Sequence, residues 1–203
     1  MRLRIFLLSL ALAGFGLGAR AAAPPAMGYV RIVLGSGTTF IANPLKVPDN
    51  RVVKLFVEAS EGTELYTFSN GKFSTNRLNG GVWTNPDQTL EPGEGFVVYN
   101  PSGRQFAAIF QGELLTGDLV INVPDGLSIK SSKVPQRGGI TSALGLQLRP
   151  FDNVYRWKGN RFEVYTFLPS GSWMPSEPDI NVGEAFFIRA NQQIRWTRAF
   201  TIN

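Results

Sequence analysis

The sequence predicts an all-β protein made of two tandem homologous modules, each a small β-sandwich or barrel-like unit with one short helical turn. Three observations carry this. The second half of the chain repeats the first, short apolar-alternating segments are separated by Gly, Pro, Asn and Asp throughout, and the 203 residues contain neither cysteine nor histidine.

Sliding the sequence on itself by 89 positions places Gly37 on Gly126, Phe40 on Ile129, Leu55 on Leu144, Leu65-Tyr66 on Val154-Tyr155 and Phe73 on Phe162. A single inserted residue then shifts the offset to 90. Beyond it Trp83 meets Trp173, Gly93-Glu94 meets Gly183-Glu184, Phe96 meets Phe186 and Phe110 meets Phe200. The matched positions are mostly aromatic or aliphatic, so the duplicated feature is a core. The modules are read as residues 28–113 and 117–203, and the short connector, without a Pro/Ser-rich or charged linker, predicts that they touch.

Within each copy the strands follow in order. Tyr29 to Leu34, Thr38 to Ala42, Glu64 to Phe68, Gly95 to Tyr99 and Gln105 to Gln111 have partners at Leu119 to Val123, Leu127 to Ser131, Asn153 to Trp157, Glu184 to Arg189 and Ile194 to Thr201. Bulky residues recur at period two in Phe106, Ala108 and Phe110, as in a half-buried strand. Ser69-Asn70-Gly71-Lys72 and Lys158-Gly159-Asn160-Arg161 predict tight hairpins, because Asn and Gly tolerate positive φ. One helical turn per copy is expected, at Asp49–Leu55 behind an Asp or Asn cap and at Ile140–Leu144.

The chain opens with Arg2 and Arg4, an apolar run from Ile5 to Leu17 and small residues at Ala19-Arg20-Ala21. This is the pattern of a cleaved secretory signal over residues 1–21, and the run is too short to span a bilayer. A secreted protein is expected, whether periplasmic, cell-surface or extracellular, with no integral membrane segment after cleavage. No lipobox cysteine, sorting motif or C-terminal apolar anchor points to covalent attachment. Cleavage removes three of the 20 basic residues, leaving 17 against 15 acidic ones. That mild and scattered balance argues against nucleic acid as a partner. The second module, with 10 basic and 7 acidic residues, is the more basic.

Absent cysteine leaves stability to packing alone. Absent histidine removes the usual general base and the commonest metal ligand, and with them Ser-His-Asp hydrolases and zinc sites. Asp87, Asp125, Asp152 and Asp179 lack the spacing of a calcium loop and read as turn residues. The sequence therefore predicts no metal, no cofactor and no catalytic residue.

Two sets of repeated residues remain. Gly93-Glu94 and Gly183-Glu184 precede aromatic strands; two carboxylates at equivalent places could form a glycosidase-like pair, but each belongs to its own module, and a structural turn closed by the carboxylate is the preferred reading. Aromatics form the second set. Most belong to cores, while Trp83 and Trp173, in Gly-rich loops, together with Tyr66 and Tyr155, are the candidate ligand-binding residues.

Thr39-Phe40-Ile41-Ala42-Asn43-Pro44-Leu45, Val154-Tyr155-Arg156-Trp157 and Pro92-Gly93-Glu94-Gly95-Phe96 resemble segments of a loosely defined group of secreted bacterial tandem β-module proteins of uncharacterised function. Their recurring words are S-L-I-A-N-P-L, V-Y-x-W-x-G-x-x-F, G-x-W and P-G-E-G-F-F. Similar modules look like parts of bacterial surface and adhesion proteins. Module two departs from the pattern at Lys130-Ser131-Ser132-Lys133 and at Ala185. The resemblance implies a non-catalytic extracellular module and transfers no functional residue. The expected function is a secreted structural or interaction protein of the cell envelope or extracellular matrix, with envelope proteins or surface glycans as partners; the alternative is a carbohydrate-binding module using loop aromatics.

Overall fold

The computed structural model describes residues 25–202. The secretory signal expected at residues 1–21 lies outside the described residues. The first module contains β1 (Met27–Leu34), β2 (Gly37–Ala42), α1 (Val52–Leu55), β3 (Glu64–Ser69), β4 (Lys72–Asn79), β5 (Val82–Trp83), β6 (Gly95–Asn100) and β7 (Phe106–Glu113). The second contains β8 (Gly117–Val123), β9 (Gly126–Lys130), β10 (Gly138–Gly139), β11 (Asn153–Lys158), β12 (Arg161–Phe167), β13 (Trp173–Met174), β14 (Asp179–Ile180), β15 (Phe186–Ala190) and β16 (Ile194–Phe200). No helix among the described residues is long and apolar enough to cross a membrane.

Each module sets a two-stranded antiparallel ribbon against a five-stranded antiparallel sheet. The ribbons are β1–β7 and β8–β16, and the sheets run β2-β6-β3-β4-β5 and β9-β15-β11-β12-β13. The order is the same in both, so the duplication is topological as well as sequential. Alternation along the strands divides each sheet into two faces. From β2, β3 and β6 the residues Ile41, Leu65, Phe96 and Val98 point to the ribbon and close a core with Leu34, Phe56 and Phe110. In the second module Val154, Phe186 and Ile188 do the same with Ile121, Leu144 and Trp196.

The two hairpins form at the predicted turns. Asn70 and Gly71 have φ of 52° and 74°, and Gly159 and Asn160 have 56° and 62°, the double positive φ of a type I′ turn. Their returning strands β4 and β12 are not among the strands read from the sequence; Lys72–Asn79 is polar along most of its length and is held by its partner β3 rather than by burial.

The helical turns differ from expectation. In α1 the N-cap is Arg51, without a side-chain cap bond. Asp49 instead accepts the Arg51 N–H and clamps its guanidinium at 2.7 and 2.8 Å. Residues 140–144 form turns and not a helix; the Glu177 carboxylate caps them, accepting the Thr141 and Ser142 N–H groups at 2.6 and 2.8 Å.

The outward faces of the two sheets meet in a third apolar cluster of Phe40, Ala42, Val97, Ile129, Ala185 and Phe187. Ile41 pairs with Glu184 as an isolated antiparallel bridge, and Lys130 pairs with Glu94 in the same way. Since Lys130 is the counterpart of Ile41 and Glu184 that of Glu94, the contact is reciprocal. The modules are thus related by a local pseudo-twofold axis.

Candidate functional site

The repeated Gly-Glu turns are the clasps of this interface. The Ala42 N–H donates to the Gly183 carbonyl at 2.9 Å, and reciprocally the Ser131 N–H donates to the Gly93 carbonyl at 3.1 Å. Gly183 has φ of 69°, and a Cβ there would stand 2.5 Å from Ile32 Cδ1 on β1 of the first module. Glycine is required both for the backbone angle and for the close approach. The carboxylates have diverged. Glu184 closes its own turn, accepting the Asn181 N–H at 3.0 Å, and takes a bidentate pair from Arg156 at 2.7 and 2.9 Å. Glu94 reaches across to the second module, where the Lys130 ammonium donates to both its oxygens at 2.7 Å. Burial lowers the Arg156 pKa, but the Glu184 bonds outweigh it and hold the guanidinium above its ordinary value. Each carboxylate is committed to its own cation.

The loop tryptophans do not offer a platform. Trp83 is 4 % exposed and packs edge-on to Phe56 at 6.0 Å. Trp173 is half-buried against Phe167 at 5.3 Å, with its N–H donated to the Thr141 hydroxyl at 3.3 Å. The reason is local pairing: both indoles sit in two-residue strands, where Leu78 pairs with Trp83 and Phe167 with Trp173, and this register turns them toward their own cores.

Tyr66 and Tyr155 lie instead on the outward sheet faces, beside the interface. Around them the hairpins place two equivalent edge-to-face pairs, Phe68–Phe73 at 4.9 Å and Trp157–Phe162 at 4.8 Å. Phe73 and Phe162 both reach Phe187, at 6.2 and 5.8 Å. The Trp157 N–H crosses the interface to the Thr38 carbonyl at 3.0 Å. Phe73 is 53 % and Phe162 42 % exposed, so the interface continues outward as an aromatic surface. Hairpin signals located these four rings, but only their assembly around the pseudo-twofold axis makes them one surface.

Two shallow grooves flank it. One of about 460 Å³ is floored by Phe40 and Val97 and walled by Tyr66, Phe73, Tyr99 and Trp157. Its counterpart of about 550 Å³ has Phe187 beneath Leu127, Tyr155 and Phe162, with Arg189 at its end. Tyr99 and Arg189 are equivalent positions. The Tyr66 hydroxyl donates to the Glu64 carboxylate, and burial together with that bond pushes its pKa up to about 12.

Among the described residues, no cluster of three or more Asp or Glu side chains is placed to hold a metal ion. No family model, curated protein or solved structure matches the chain. Fold and site together define a class: an all-β protein of two modules joined through their sheets, with an aromatic surface at the joint.

Proposed function

We propose that the protein is an exported, non-catalytic interaction protein of the cell envelope or extracellular matrix, and that it binds through the aromatic surface at the module joint. The observation that supports this most is the exposure of Phe73, Phe162 and Tyr99 on one face, over rings already held edge to face. Exposed aromatic patches cost solubility and mark contact surfaces, and pre-packed rings lose little freedom when a partner covers them.

The experiment is fractionation of the producing cells with the wild-type protein and a Phe73→Ser/Phe162→Ser variant. Wild type is expected with the envelope or matrix fraction and the variant in the soluble fraction. A wild-type protein recovered only as a free monomer without partners overturns the reading.

The carbohydrate-binding alternative loses one of its residues, since Trp83 is buried, while Trp173, Tyr66 and Tyr155 are half-buried. In the first-module groove the Tyr66 hydroxyl and the Trp157 N–H are already engaged with Glu64 and Thr38, so Tyr99 there, and Tyr155 and Arg189 in the second groove, are lining groups with hydrogen-bonding capacity to spare.

A further inference from the structure

The two grooves are equivalent by duplication; Leu127 and Phe187 of the second replace Thr38 and Val97 of the first, and the grooves differ in charge. At the end of the second-module groove Arg189 is exposed and makes no ion pair or side-chain hydrogen bond among the described residues, while the equivalent Tyr99 carries no charge. Four other cations on the sheets are matched: Arg77 lies 3.6 Å from Glu64, Lys158 3.8 Å from Glu163, Arg156 is paired with Glu184 and Lys130 with Glu94; Lys72 and Arg161 make no ion pair among the described residues but line neither groove. An unpaired guanidinium bordering an aromatic groove combines the two side-chain types most enriched where proteins bind one another.

We propose that the second-module groove docks an extended segment of a partner protein, which lays a bulky apolar side chain over Phe187 and sets a neighbouring carboxylate against Arg189. This rests on the reading of the aromatic surface as a binding face and adds the chemistry of the occupant. The Phe162 and Tyr155 rings cover the apolar side chain, and the Arg189 fork supplies a charge-assisted bond to the acid. The pseudo-twofold axis gives Arg189 a second role. A segment crossing both grooves runs through them in opposite directions, so two identical grooves would not distinguish its ends. With guanidinium on one side and phenol on the other, the acidic end is read only at Arg189.

The test is panning of the exported full chain against a phage-displayed library of random linear peptides, followed by affinity measurement on a selected synthetic peptide. Enriched sequences are expected to place Asp or Glu next to an aromatic or large aliphatic residue. Arg189→Gln should weaken binding of that peptide about tenfold or more, the loss of one bond to a charged group, with no change in melting temperature. Tyr99→Arg should raise affinity for peptides carrying an acid at both ends. Selected sequences without acidic residues, or an Arg189→Gln variant that binds equally, overturn the proposal. Binding on a glycan array that is lost in Phe162→Ser also overturns it, while leaving the aromatic face as a binding surface. If Phe73→Ser and Phe162→Ser leave all binding intact, the face itself is the wrong surface.

Discussion

Gly95 and Ala185 occupy equivalent positions in the two modules and face one another across the pseudo-twofold axis, where a Cβ on Gly95 would lie 2.7 Å from that of Ala185 and 2.3 Å from Ile129 Cγ2. The departure of module two from the repeated Gly-Glu-Gly-Phe word is therefore compensated in module one. There is room for one methyl at the axis, and Ala185 supplies it. Gly95→Ala should destabilise the protein by about 1–3 kcal/mol through overpacking. Chemical denaturation checks it, and the Gly95→Ala/Ala185→Gly pair should recover only part of the loss, because Ile129 remains in the way.

The same complementarity governs charge. The Lys130 side chain is 9 % exposed and that of Glu94 56 %, so the two ends of their ion pair are unequally dependent on it. Glu94→Gln strands a buried ammonium and should cost about 2–4 kcal/mol. Lys130→Met, which puts an apolar chain where module one has Ile41, leaves a carboxylate that water can reach and should cost less than about 1 kcal/mol. Unfolding curves of the two variants give the comparison directly; equal losses would mean that the pair acts symmetrically.

The strands, hairpins and duplication were legible because they are written in local signals: period-two alternation, Asn-Gly turns and repeated aromatic spacings. The joint was not. Gly93-Glu94 and Gly183-Glu184 look like turn chemistry in either copy alone, and their role as clasps depends on Ala42 and Ser131 of the opposite module. Likewise the sequence marked Trp83 and Trp173 as loop residues because glycines surround them, whereas two-residue strands pull them inward. The exposed rings of Phe73 and Phe162 look like core residues in sequence and are displayed because the hairpins carry them past the edge of each core. Lys130 in place of an apolar strand residue was visible as a departure, but its partner Glu94 lies 36 positions away.

Burial of the loop tryptophan separates core from surface in a second experiment. Trp83→Ala removes an indole packed on Phe56 and should cost about 3–5 kcal/mol. Phe162→Ser, at a half-exposed position, should cost far less. Partner binding should respond in the opposite order when measured below the melting transition of each variant.

Acid should loosen the second module at the Glu177 cap. Burial raises the pKa of this carboxyl, but bonds from Thr141 and Ser142 outweigh it, so its pKa is lowered below the ordinary 4.5. The charged form is favoured by folding, and the stabilisation is present above that ordinary value and lost as pH falls through the folded one. Glu177→Gln should lower stability at neutral pH by about 1 kcal/mol and flatten the acid limb of a stability–pH curve. An unchanged acid limb would place the sensitivity elsewhere.

Alkali acts on the binding face itself. With its pKa pushed from 10.0 to about 12 by burial and by the Glu64 carboxylate, Tyr66 is held protonated in the fold. A group whose folded pKa is raised stabilises the protein below its unfolded value, and that contribution disappears as pH climbs from about 10 toward about 12. Phenolate absorbance followed through this window should show late ionisation at Tyr66 and at Tyr165, which burial and Glu163 also hold protonated, and Tyr66→Phe should remove the Tyr66 share. Ionisation would also set a phenolate beside Glu64 in the wall of the first-module groove. Binding that depends on this groove should fall over the same range in wild type and persist in Tyr66→Phe, which keeps the ring and has no proton to lose.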